Sequence, residues 1–257
     1  MDFFKNIFSS NKKQSKIEFG VKLVVNNEIN PAREKLKKAT ILKNEKKYDE
    51  ACKILKEAFS LKGSNDLMIK ERLRLPMYLQ LANKNDEGWR ILNELNVKFV
   101  DVFSQAEIAN QMRIFLQKEK KYTQAILFSI WSICKEVERD RCNIRGSVEF
   151  ADQLASNKRK YKFHQDDNIE KVYGKTPKGN PITDYNYKIF VDRINDNISV
   201  DGVSYRILPL LKKLNKDKLL PSLSKSISEY LNSSKVYNLN KIGEVINEIL
   251  LKEDNTF

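Results

Sequence analysis

A chain of 257 residues with 41% apolar and 32% charged residues can bury a sizeable core, and no run of 18 apolar residues occurs in it, which excludes a bundle of membrane-crossing helices. The net charge of +13 favours anionic partners, although 36 of the 47 basic residues are Lys, and with abundant Asn that bias is also what AT-rich coding produces. One His and three Cys without a CxxC pair exclude a Cys/His metal centre and point to reduced packing thiols, so a cytoplasmic protein without metal or other cofactor is expected.

Residues 1–30 read as an N-terminal arm. Phe3, Phe4, Ile7 and Phe8 share one helical face, followed by Lys12, Lys13 and Lys16. The arm either docks its aromatics on the folded part or a partner, or lies on a membrane surface, and an apolar face of two turns favours docking. The opening MDFFKNIF is too short and too charged for a signal peptide. Ile17 to Ile29 is a short strand or an extended lead-in. Asn30-Pro31 then supplies a cap and a first-turn proline for the first long helix, and a second helix starts near Tyr48.

Gly63 to Asp66 ends this hairpin and opens a helix over Leu67 to Leu81 that Pro76 should kink. Ser104 to Glu107, SQAE, reads as a capping box for the next helix. Tyr122 to Arg139 is the most apolar helix, with Ile126, Ile130, Trp131, Ile133 and Cys134, and should be covered on two sides. Beyond Gly146 a separate helix is expected over Ser147 to Ala155, then a polar loop from Ser156 to Pro181. Four helices follow over 183–197, 203–214, 219–231 and 239–251, with Asn197 to Gly202 as a turn.

One stretch recurs. Asn44 to Phe59, NEKKYDEACKILKEAF, returns in degraded form at Asn83 to Leu95 and again at Lys118 to Ser132. Ala51, Gly88 and Ala125 fall in one column, with Tyr48, Asn85 and Tyr122 three residues earlier, and the offset is 37 residues both times. Ala39, Ala51 and Ala58 add one small residue on a first helix and two on one face of a second, where they allow close approach. A lone hairpin cannot bury its apolar face, so a fixed period of this size predicts stacked hairpins.

On these residues the chain resembles the tetratricopeptide repeat family over about 31–140. Ala39, Ala51 and Ala58 match the family's three small positions, Tyr48 its aromatic, and Asp49 and Glu50 the acidic pair that often follows. The second copy departs at Pro76 and Leu95 and the third at Arg113, the period exceeds the family's 34, and the usual proline after the second helix is missing. The resemblance implies an all-α helical-hairpin solenoid whose first helices line a concave binding groove. By register that groove holds Arg33, Leu36, Thr40 and Lys43, then Lys70, Leu73, Met77 and Gln80, then Glu107, Asn110, Ile114 and Gln117. It is basic at one end and apolar through Leu73, Met77 and Ile114, which suits a peptide or partner protein with acidic and apolar residues. The same side chains packing against the arm or the C-terminal helices is the competing reading.

Catalytic motifs do not emerge. His164 sits in a polar stretch with Asp166 and Asp167 nearby but without ordered metal-ligand spacing, and no phosphate-loop, dinucleotide or nucleophile-elbow pattern occurs. A binder rather than an enzyme is expected: a scaffold acting through the groove, in an unknown oligomeric state. The alternative is nucleic-acid binding through Lys158, Arg159, Lys160, Tyr161, Lys162 and Phe163, which interleave cations with stacking aromatics. The expected division is an arm over 1–30, a repeat domain over 31–155, a basic linker over 156–181 and a helical part over 182–257.

Overall fold

The computed structural model describes residues 30–161 and 171–254, and residues 31–257 form one unit. The arm, the Lys162 and Phe163 end of the basic run, and His164 lie outside the described residues. The described chain is all-α apart from one two-stranded hairpin.

Helix α1 (Pro31–Asn44) and helix α2 (Tyr48–Ser60) form the first hairpin. Ala32, Leu36 and Ala39 on α1 meet Ala51, Cys52, Leu55 and Ala58 on α2 in one buried cluster, so the small-residue column does bring two helices together. The second hairpin is α3 (Ile69–Arg72) and α4 (Arg74–Leu81) followed by α5 (Asn85–Lys98). The kink expected at Pro76 appears as a break at Leu73. The proline ring clashes with the carbonyl four residues back, and the interruption falls one residue beyond Arg72.

Helix α6 (Val102–Lys118) opens the third hairpin. Its cap differs from the expected SQAE box: Asp101 is the N-cap and its Oδ1 accepts the Ser104 N–H at 2.9 Å, which places Ser104 inside the first turn. Within each hairpin the turn is the same. Lys46, Asn83 and Lys120 adopt left-handed backbone, with φ of 62°, 58° and 60°. In each, the following Lys N–H reaches back to a Leu carbonyl: Lys47 to Leu42 at 2.9 Å, Lys84 to Leu79 at 2.8 Å, Lys121 to Leu116 at 3.0 Å. This is the double-bonded helix stop that satisfies carbonyls the helix leaves open.

The largest departure from expectation is α7 (Tyr122–Tyr161), a single helix of 40 residues and about 60 Å. It runs through Gly146 and through the start of the expected linker at 156. A Gly inside a helix costs only about 1 kcal/mol, and Ser147 and Ala151 just beyond Gly146 are buried again. The loop expected up to Pro181 also contains a hairpin, β1 (Gly174–Lys175) paired antiparallel with β2 (Pro181–Ile182), turning at Gly179 with φ of +82°. Asn180 Nδ2 donates to Asp152 Oδ1 at 2.7 Å, which ties this hairpin to α7.

Helix α8 (Tyr185–Ile198) and helix α9 (Val200–Lys213) are separated by Ser199 alone, so the expected turn over 197–202 shrinks to one residue. Ser199 is the N-cap of α9, its Oγ accepting the Gly202 N–H at 2.9 Å. Helix α10 (Leu220–Ser233) and helix α11 (Leu239–Asp254) complete the chain. Ile126, Ile130, Ile133 and Val137 of α7 share one core with Val203, Ile207 and Leu211 of α9, Leu223 and Ile227 of α10, and Ile242 and Ile246 of α11. The most apolar helix is thus covered from α6 on one side and from the C-terminal helices on the other.

Candidate functional site

The residues assigned by register to the first-helix face divide by depth. Leu73 is 5% exposed and packs with Leu92, Leu95, Ile108, Met112 and Phe115. Gln80 is buried, and its Nε2 donates to the Phe115 carbonyl at 3.1 Å, a bond from the second hairpin to the third. Both therefore hold hairpins together. Met77 is half-buried against the core of the first two hairpins, and Ile114 is half-buried on α6.

The charged members of the same face bridge helices in chain order. Arg33 Nε on α1 lies 3.5 Å from Glu71 Oε1, and its guanidinium also donates to the Asp66 carbonyl at 3.4 Å. Lys70 Nζ on α3 lies 3.2 Å from Glu107 on α6, and the same carboxylate stands 3.9 Å from Arg139 on α7. Arg139 reaches Asp140 at 3.4 Å, and Asp140 receives Arg193 of α8. Among the described residues Lys43 makes a single bond, 3.4 Å to its neighbour Asn44.

Asn110 and Gln117 hold Arg113 between them. The guanidinium donates to Asn110 Oδ1 at 2.8 and 3.1 Å and to Gln117 Oε1 at 2.8 Å. Among the described residues no carboxylate stands within ion-pair distance of Arg113. Burial, followed by the nearby Arg206, pulls its pKa below the ordinary arginine value, with Glu136 acting in the opposite sense. An arginine stays charged under these conditions. Glu136 itself is taken: it receives Arg206 at 2.7 Å, Ser132 Oγ at 3.2 Å and Asn197 at 3.5 Å. The result is a half-buried junction of α6, α7, α8 and α9 in which Glu136 is taken by Arg206 and Arg113 is held by amide oxygens alone.

Sequence reasoning placed Asn110 and Gln117 at this face but not the Arg113 that they hold. The signal was present as a misfit: a large cation in the column that holds Ala39 in the first hairpin. Glu136, Asn197 and Arg206 join it across 23, 84 and 93 positions of chain, which no local pattern reveals. In the alternative nucleic-acid run, residues 158–161 form the last residues of α7. Comparison of the chain with family models, curated proteins and solved structures returns no match.

Proposed function

We propose that this chain is a non-catalytic, tetratricopeptide-like scaffold of the cytoplasm that binds a partner protein on its first-helix face, with Arg113 receiving an acidic group of that partner. The supporting observation is the Arg113 guanidinium, positioned by two amide oxygens, partly desolvated and lacking a carboxylate of its own. Such a cation is oriented before binding, and a partner carboxylate would supply the missing charge. Arg33, Lys70 and Glu107 contribute less to affinity in this reading, since they are occupied in bridging helices.

The test is affinity capture from native lysate after nuclease treatment, followed by affinity measurement on the identified partner. Replacing Arg113 with Gln should weaken that partner at least tenfold while the helix signal in circular dichroism stays unchanged. Equal affinity of the Arg113→Gln protein and the parent chain would rule the reading out.

A further inference from the structure

A fourth copy of the hairpin turn lies between α9 and α10. Asn215 has φ of 56°, and Lys216 N–H reaches the Leu211 carbonyl at 3.0 Å, matching the turns at Lys46, Asn83 and Lys120. All four read Leu-x-x-x-Lys/Asn-Lys. They also lie at the same end of the helices. Lys84 in the second turn is 2.5 Å from Asp49 at the start of α2, and Trp89 near the start of α5 donates to Glu119 in the third turn at 2.8 Å. From Asp140–Arg193 to Glu136–Arg206 the numbers fall along α7 while they rise along α8 and α9. Helix α8 therefore runs antiparallel to α7, and α9, which follows after Ser199 alone and packs Val203, Ile207 and Leu211 into the core with Ile126 to Val137, carries that course toward the turn that precedes α7.

Lysine gathers at this end. Lys47, Lys84 and Lys121 each meet a carboxylate, at 2.9 Å on Glu45, 2.5 Å on Asp49 and 2.7 Å on Glu119. Lys46, Lys118, Lys120, Lys212, Lys213 and Lys218 are exposed and have no acidic partner among the described residues. The opposite end differs: connections 61–68, 99–101 and 234–238 together carry Asp66 and Asp101 against Lys62 and Lys235.

We propose that this lysine edge binds the phosphate backbone of a nucleic acid strand without sequence preference. A row of cations contributed turn by turn matches a linear polyanion, and neighbouring helices about 8–10 Å apart give the row the length of several phosphates. Lys is a compact, hydrated point charge suited to phosphate contact. Protein interfaces are depleted in Lys, which disfavours an acidic protein here. None of the four turns exposes a large apolar side chain, which binding to a membrane surface requires. This surface is separate from the Arg113 junction.

The experiment is fluorescence anisotropy of the full chain with labelled oligo(dT) and random duplex of about 30 nucleotides, longer than a typical single-strand site. The edge variant combines Lys46→Glu, Lys120→Glu, Lys212→Glu and Lys213→Glu. A control of equal charge change carries Lys38→Glu, Lys53→Glu, Lys225→Glu and Lys241→Glu on exposed helix bodies. The edge variant should lose at least tenfold more affinity than the control. Its salt slope should fall by about 0.7 for each single-strand phosphate contact removed. Lys→Gln at the same four edge positions repeats the comparison should the Glu variant fail to fold. Equal losses in edge and control variants overturn the proposal, as does failure of the parent chain to bind either oligonucleotide. Binding to phosphatidylserine vesicles alone also overturns it.

Discussion

Asp140 on α7 is fully buried, and Arg193 on α8 closes on it with two parallel bonds, Nε to Oδ2 and NH2 to Oδ1, each 2.5 Å. Hydrogen bonding to Asp140 raises the Arg193 pKa. Removing Arg193 leaves the buried carboxylate with Arg139 alone, at 3.4 Å. Arg193→Ala should cost about 3 kcal/mol, toward the lower end for buried pairs because the Arg193 side chain keeps 40% of its exposure. A urea-denaturation cycle with Asp140→Ala should show a coupling of about 1 kcal/mol or more. A sum of single effects without coupling would mean that the pair does not join α7 to α8.

Gly88 is fixed by its neighbour. A Cβ added there would lie 2.8 Å from Phe115 Cζ, 2.9 Å from Cε1 and 3.3 Å from the Pro76 carbonyl. Phe115 is fully buried and meets Trp89 edge-on at 5.2 Å, so it has little room to yield. Gly88→Ala should destabilise by about 1–3 kcal/mol through overpacking. Adding Phe115→Leu should recover part of that loss in thermal melts, and no recovery would place the strain elsewhere.

The start of α6 separates two possible caps. Asp101 accepts the Ser104 N–H from the N-cap position, and its pKa is lowered: burial opposes ionisation, and the bonds from Ser104 and Phe103 outweigh it. Asp101→Ala should cost about 1 kcal/mol, more than Ser104→Ala. A folded-state pKa below the unfolded one means stability present above the ordinary carboxylate range and lost as pH falls through the folded value. Denaturation midpoints from pH 5 down to pH 2, in buffers spanning about three units around the carboxylate range, should therefore fall less steeply in Asp101→Ala.

Burial pushes the Cys52 thiol up to about 11 and raises Cys134 further. Above the ordinary thiol range the unfolded chain has lost these protons while the folded chain retains them. Stability is accordingly complete below pH 9 and declines as pH rises toward 11. Cys52→Ala should flatten that decline, read as the pH dependence of the urea midpoint. Iodoacetamide at mildly alkaline pH should label half-buried Cys142 first, and prior labelling of Cys52 would contradict this burial.

The hairpins over 31–122 were legible because their spacing is carried by neighbours in sequence: small residues where helices cross, and Lys or Asn where the chain turns left-handed. The fourth turn escaped notice because Leu220 occupies the column that holds Ala51, Gly88 and Ala125, although Asn215-Lys216 repeats the turn itself. The continuity of α7 was hidden by Gly146 and the polar run after it. What keeps that stretch helical comes from far along the chain, as in the 2.7 Å bond from Ser147 to Asp184. The Arg113 junction was illegible for the same reason, since Glu136 and Arg206 are neighbours only after α9 folds back.

The length of α7 also bears on how this protein can change. Its first half closes the last repeat hairpin and, on the opposite side, forms the wall on which α9 to α11 are built. A cut anywhere between Ala125 and Val137 would open both cores at once, exposing Ile126, Ile130 and Ile133 to water. The α7 end therefore admits no insertion or exchange without rebuilding its C-terminal neighbours together with it.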